Sequence, residues 1–342
     1  AMAGKDVVRH WLHGEHLLFE GRKMSKSAGN VLLVSDLLRD GLDPLALRFA
    51  LMENRYRSQM DLTWDSLKAA DATLWQVPLI ITQGDKTQRL LLTKARQEFA
   101  WPGCSATPPM VNAGGQGFYR VQYNPEVYAG LVQGFASLAP TARITLLSDS
   151  FALVQTGQLP LSAYWKLLAQ LPAVQGAGRA TLLDMTRKSL WFLDAVYAHT
   201  SEQAALRARA RELLGPELKA LGWSAQAGES SEVQVLRNGL ISSLAYWGDE
   251  AVLKQAEILF DQDDAGTKAL PPEIRDAVIH AAGFQADARR HARLMQRLES
   301  ANNEEDRWRY AEAVGSVKDP ALAKQVLALS LREVLPNNIA SR

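Results

Sequence analysis

Lys23-Met24-Ser25-Lys26-Ser27, followed by Ala28-Gly29-Asn30, places two ammonium groups and two hydroxyls within one short stretch. A lysine is a compact point charge with three donors, and a serine hydroxyl adds a further donor beside it, so the set suits phosphate oxygens. The chemistry implied is stabilisation of negative charge by donors fixed where that charge develops. Ala28-Gly29-Asn30 supplies a hinge, and the apolar run Val31 to Val34, with Ser35 as N-cap, leads into a helix over Asp36 to Arg39. The competing reading is a solvated turn whose lysines fall there by chance.

Two other stretches invite a chemical reading. "HWLHGEH" spaces His10, His13 and His16 three apart with Glu15 beside them, and on a helix His10 and His13 would share a face. Gly14 ends such a helix, so Trp11 and Leu12 are read as packing residues and no metal is assigned. In "VNAGGQGFYRVQYN", Gly114, Gly115 and Gly117 permit positive φ and close backbone approach, making them a structural turn. Phe118, Tyr119, Val121 and Tyr123 then alternate as a strand. A phosphate cradle at the glycines is the rival, but no helix start or lysine follows them directly.

The elements that position these residues change character along the chain. The first part reads as an α-rich segment carrying the lysine loop. From "WQVPLIITQGD" a small antiparallel β portion begins, with Pro78 marking an edge strand, "TQRLLLTKARQEFAW" the second strand and "GFYRVQY" the third. From Pro125 the pattern is almost wholly helical. Leu146, Leu147, Phe151 and Val154 repeat at helical spacing, as do Tyr164, Leu167, Leu168 and Leu171. Further helices are expected over Gly178–His199, Glu202–Leu214, Glu232–Gly248, Ala251–Gln262, Pro271–Ala282, Ala286–Ser300, Glu304–Val314 and Pro320–Glu333. Antiparallel helices of this length without a strict repeat make a mainly α chain ending in an α-solenoid superhelix. Trp165, Trp191, Trp223, Trp247 and Trp308 serve as its packing anchors.

"KMSKS" is the signature loop of class I aminoacyl-tRNA synthetases, and Val7 to Leu74, with "YRSQ" at Tyr56–Gln59 and "LKAA" at Leu67–Ala70, resembles cysteinyl-tRNA synthetases and the cysteine ligase of mycothiol synthesis. The resemblance implies that Lys23, Met24, Ser25, Lys26 and Ser27 hold the ATP phosphates while cysteine is adenylated, that His13 lines the nucleotide side, and that tRNA is a family partner. That family also uses a His-Ile-Gly-His-type motif and a zinc site of cysteines, a histidine and a glutamate. Neither occurs here, and the single cysteine, Cys104, lies outside the resembling stretch.

"VNAGGQGFYRVQYN", "LWQVPLII" and "RITLLSDSFALVQTGQLPLSAYWKLLAQL" resemble M1-family zinc aminopeptidases, where a β-sandwich hands over to a helical superhelix that shapes a peptide-accepting cavity. The resemblance implies peptide in the concavity, but the His-Glu-x-x-His zinc helix of that family is not in the chain. "LMEN" lacks the glycine of the family's substrate strand, so Met52 is assigned to helix packing and Glu53 to the surface.

The expectation is therefore a composite: 1–75 synthetase-like, 76–124 a short β-sandwich remnant, and 125–342 a truncated superhelix. It has ATP as a half-site cofactor, no bound zinc, and no complete active site. A truncated or joined gene product fits better than a bifunctional enzyme, because no flexible linker separates the halves. The formal net charge of +1 argues against a broad polyanion-binding surface. One cysteine among 342 residues gives no disulfide framework and fits a reducing cytoplasm, and no membrane-spanning run occurs.

Overall fold

The computed structural model describes residues 17–25, 29–52, 59–72, 76–94, 96–101, 105 and 107–329. The chain divides into two compact units, Ala1–Leu79 with Arg89–Cys104, and Ile80–Gln88 with Ser105–Arg342. It is mainly α with a small β portion.

In the first unit, β1 (Leu17–Phe19) and β2 (Arg22–Lys23) form an antiparallel hairpin. Its Glu20-Gly21 turn has φ of 52° and 73°, the left-handed pair that matches strand twist in a two-residue loop. β3 (Met60–Leu62) joins β1 in parallel, with Leu17 opposite Met60 and Phe19 opposite Leu62. Helices α1 (Val34–Arg39), α2 (Pro44–Met52) and α3 (Trp64–Ala72) pack on a small core of Leu37, Ala46, Ala50, Leu62 and Leu67.

Two expectations are corrected in this unit. The N-cap of α1 is Leu33 rather than Ser35, because Asp36 Oδ2, one turn in, accepts the Leu33 N–H at 2.9 Å and caps the end itself. Met52 is 67% exposed and packs no core, since α2 turns Ala46 and Ala50 inward instead.

β4 (Val77–Gln83), β5 (Lys86–Leu92) and β6 (Met110–Val111) form a second sheet in the order β5-β4-β6. β4 is thus the middle strand and not an edge. β6 pairs with Ile81 and Thr82, so the missing N–H of Pro78 costs no bond to β6. The third strand is Met110–Val111 and not Gly117–Tyr123, for a reason given with the site below.

The second unit continues as α4 (Pro125–Gln133), α5 (Pro140–Gln155), α6 (Leu161–Leu168), α7 (Arg179–Val196) and α8 (Gln203–Leu221). Then come α9 (Ser231–Tyr246), α10 (Glu250–Asp264), α11 (Arg275–Phe284), α12 (Ala288–Glu299), α13 (Glu304–Gly315) and α14 (Pro320–Leu329). α5, α7, α9, α11 and α13 pack in succession as one layer, and α8, α10 and α12 lie against them as a second. That is the two-layer logic of an α-solenoid. The helical starts are written locally: Asn124, Asp249, Asp287 and Asn303 each accept a backbone N–H of the first turn with their side chains.

One continuous core runs through these helices and includes Tyr164, Leu190, Leu240, Trp247, Phe260 and Val278. Trp165, Trp191 and Trp223 pack against it half-buried, and Trp247 is enclosed. Charged clamps fix neighbouring pairs. Asp194 of α7 takes Arg207 of α8 in a bidentate grip at 2.6 and 2.9 Å, and Glu217 of α8 takes Arg179 of α7 at 2.6 and 2.8 Å. The Glu217 grip explains why α8 overruns its expected end at Leu214. Pro216 withholds a donor from the Glu212 carbonyl, but Glu217 and Leu218 are buried, and their contacts hold the next turn.

Two histidines couple this core to pH. His291 is 3% exposed and its Nε2 has no partner among the described residues, while His280 stacks on Phe284 at 4.7 Å. Burial pushes both imidazoles below their ordinary value of 6.5, with Glu312 opposing at His280. The neutral form is favoured in the fold, so the unfolded chain binds more protons between the folded values and 6.5. Stability is therefore full above that window and lost as pH falls through it. The melting temperature is expected to drop between pH 7.5 and 5.5, and His291→Leu to flatten that slope in calorimetry, by at most about 1.4 kcal/mol per pH unit.

Candidate functional site

The lysine loop rises from the β1–β2 hairpin. Gly21 N–H donates to both carboxylate oxygens of Asp61 at 3.0 and 3.1 Å, and Glu20 Oε1 accepts the Trp64 N–H at 2.8 Å. These bonds tie the turn to β3 and the start of α3. Met24 N–H donates to Leu17 O at 3.1 Å, which prolongs the hairpin to the edge of the loop. Lys23 ends β2, and Ser25 forms a β-bridge with Asn30.

Lys26, Ser27 and Ala28 lie outside the described residues, as do His10, Trp11, Leu12, His13, His16 and Glu53. Asn30, read from the sequence as part of a hinge, acts as a clasp: its Nδ2 donates to Phe19 O at 3.0 Å and Arg22 O at 3.1 Å. The structure thus brings Lys23, Met24 and Ser25 onto a braced stem with Asn30 closing the return.

In the second unit the glycine-rich turn is organised by a residue that the sequence reading passed over. Asn112, 3% exposed and at φ 57°, accepts Gly117 N–H on Oδ1 at 2.7 Å and donates from Nδ2 to Gly117 O at 3.0 Å. Asparagine tolerates left-handed backbone and closes local loops with its amide, so its place just before Ala-Gly-Gly was the available signal. Gly115 takes φ 65°, and a Cβ at Gly117 would lie 2.2 Å from the Tyr119 ring.

The chain that follows cannot pair as a strand because α5 captures it. Asp149 accepts Arg120 Nη1 at 2.9 Å on one oxygen and Val121 N–H at 3.1 Å on the other. Burial pushes the Asp149 carboxyl above the usual range, against those two bonds. Tyr123 is held at the sheet, where its hydroxyl accepts Val111 N–H at 2.9 Å, and its burial pushes the phenol well up. Asn112→Ala is expected to cost about 1–3 kcal/mol in urea unfolding, because it strands two half-buried groups of Gly117 and leaves an alanine at positive φ.

Beside this turn lies a cavity of 640 Å³ between α4, α5 and α6, walled by Val121, Tyr128, Val132, Leu153 and Leu159. Gln133, Lys166 and Gln170 also line it, and two of its polar pairs are fixed: Gln122 Nε2 donates to Gln158 O at 3.2 Å, and Tyr128 hydroxyl meets Ser150 Oγ at 3.2 Å. An apolar cleft with a few fixed polar groups is the form of site that orients an organic ligand. No three His, Cys, Asp or Glu side chains converge to hold a metal ion among the described residues. No helix among them is long and apolar enough to cross a membrane.

Fold and site together define a two-layer helical domain, entered through a glycine turn and joined to a segment that carries the lysine loop. The chain belongs to the ERAP1-like C-terminal domain family, which matches residues 110–341. Residues 1–72 match the class I (C) tRNA synthetase catalytic domain. Over 68 residues the chain is 52% identical to the cysteine–tRNA ligase of Thermus thermophilus, a stretch that is 20% of this chain and 14% of that protein. The ligase of Opitutus terrae is 48% identical over 71 residues, 21% of this chain and 16% of that protein. That of Leptospira interrogans is 43% identical over 77 residues, 22% of this chain and 16% of that protein. The chain thus spans about one-seventh of the length of these ligases and is a composite of a synthetase-like N-terminal segment and an ERAP1-like C-terminal domain.

Proposed function

We propose that the helical unit is the peptide-accepting, non-catalytic portion of an aminopeptidase-type protein, and that this chain performs no turnover alone. The domains follow the composite: 1–75 synthetase-like, 76–124 sandwich remnant, 125–342 helical cap. The observation that carries the reading is the family match over 110–341 on a unit with an organic-ligand cleft but no metal-ligand cluster among its described residues. Anisotropy of dye-labelled peptides against the full chain should show saturable binding, and an aminoacyl-anilide with added zinc should be hydrolysed at the buffer rate. Zinc-dependent hydrolysis, or no binding by any peptide tested, sinks the reading.

A second reading is favoured by the match over 1–72, which includes Lys23 and Lys26: the loop retains ATP-phosphate affinity without completing the adenylate chemistry. The residues placed on the stem, Lys23 and Ser25, fit that group in donor type, and bound ATP would bring the leaving pyrophosphate. Titration calorimetry should show ATP heat that Lys23→Ala with Lys26→Ala abolishes. Cysteinyl-adenylate formation by the chain would show instead a complete ligase site. A role for tRNA as partner rests on the N-terminal similarity alone.

A further inference from the structure

The cleft between α4, α5 and α6 carries one charge on otherwise uncharged walls. α4 gives it Pro125, Tyr128, Ala129 and Val132, which recur three and four residues apart as one helix face does, and α6 gives it Ala163 and Lys166. Among the described residues, Lys166 alone of the Lys, Arg, His, Asp and Glu side chains lines it. Lys166 is exposed, and no ion pair or hydrogen bond engages its ammonium among the described residues. The acids close to the lining residues in sequence do not offset it. Asp149 is bound to Arg120 and lines a separate cavity, and Glu126, in the first turn of α4, does not line the cleft.

The ordinary role of such a lysine is to offset the partial negative charge at the end of α6, in whose last turn it sits. Position alone fills that role, and the three N–H donors stay available to a ligand. A lysine is a flexible point charge that suits a single carboxylate. Chain-terminal carboxylates are typically held by an arginine fork or a nest of backbone N–H groups, and neither an arginine nor a glycine lines this cleft. An acidic side chain is the better match, and the apolar walls ask for a large apolar neighbour beside it.

We infer that the cleft selects peptides in which an Asp or Glu adjoins a large apolar residue, with the apolar side chain in the cleft and Lys166 on the acid. The inference rests on the peptide reading and makes Lys166 its specificity-determining residue. An exposed pair of this kind changes affinity by about threefold and is screened by salt. The formal net charge of +1 leaves little general attraction for anions that could imitate it.

The test is anisotropy of short dye-labelled peptides against the full chain at low salt. Three are amidated and differ at one position, carrying Leu-Gln, Leu-Glu or Leu-Lys; a fourth ends in Leu with a free carboxylate. The Glu peptide should bind about threefold tighter than the Gln peptide and the Lys peptide about threefold weaker, with both differences lost at about 0.5 M salt. Lys166→Glu, at an exposed position, should reverse that order, and Lys254→Glu on α10, outside the cleft, should keep it. Ala129→Trp, also at an exposed position, fills the cleft and should weaken all four by about tenfold or more. Four results overturn the inference while the peptide reading stands: equal affinity for the Glu, Gln and Lys peptides, a gain from the free C-terminus alone, an order that Lys166→Glu leaves unchanged or Lys254→Glu also reverses, or binding that survives Ala129→Trp. Binding by none of the four peptides removes the peptide reading and the inference with it.

Discussion

Arg237→Ala is expected to lower the stability of the helical unit by about 3–5 kcal/mol, read as a fall in the urea midpoint of the full chain. Arg237 is fully enclosed on α9. Its Nη1 donates to Glu229 Oε2 at 2.7 Å, its Nη2 reaches the other carboxylate oxygen, and its Nε donates to Gly222 O at 3.0 Å. Gly222 is the C-cap of α8, so one side chain satisfies an exposed helix end and draws the 223–230 connection onto α9. Truncation removes the donor from the half-buried Gly222 carbonyl, releases Glu229 and leaves a side-chain-sized void. Arg237→Met separates these effects: it restores most of the volume and none of the donors, so it should recover roughly half of the loss. If both substitutions cost the same small amount, the guanidinium is not what joins α8 to α9.

The helical unit was legible because its apolar residues repeat at helical spacing over long stretches, and Tyr164, Leu167, Leu168 and Leu171 are all enclosed where that spacing put them. The misreadings of α8 and of the third strand fall where a non-local partner overrides a local signal. Gly215-Pro216 reads as a stop, yet Arg179, far away in sequence, holds Glu217 and carries α8 through it. Phe118 to Tyr123 alternate as a strand should, but Asp149 takes the Val121 amide that a sheet partner would have needed. The parallel pairing of β1 with β3 joins short segments 43 residues apart, Leu17 to Met60, and no local pattern announces it. At the lysine loop the residue types were readable and the brace was not, because Asn30 looks like hinge material until its amide is seen between Phe19 O and Arg22 O. Asn112 was missed for the same reason: one buried amide looks like any loop residue until its partner is known.

Gly283→Ala should be the most damaging glycine-to-alanine change among the described residues, at about 3 kcal/mol or more, and the reason lies in how closely α11 and α13 approach. A Cβ built on Gly283 falls 2.1 Å from the Ala313 carbonyl oxygen and 2.8 Å from its carbon, with Ser316 Oγ at 2.6 Å. Two of those atoms are backbone, so relief cannot come from a rotamer change and requires one helix to move. The layer offers little room for that: Ala281, Ala282, Ala313 and Val314 are all enclosed around the crossing. Small residues at the contact allow the close approach, and the methyl would pry apart a core that continues into α9 on the other side of α11. In an exposed helix interior the same substitution stabilises by about 0.5–1 kcal/mol, because alanine restricts the unfolded chain. Gly315, the last residue of α13, has nothing within 4 Å of its Cβ position and serves as the internal control. Gly315→Ala should leave the urea midpoint unchanged or raised while Gly283→Ala lowers it sharply. Equal effects from the two would mean that α11 and α13 do not sit this close.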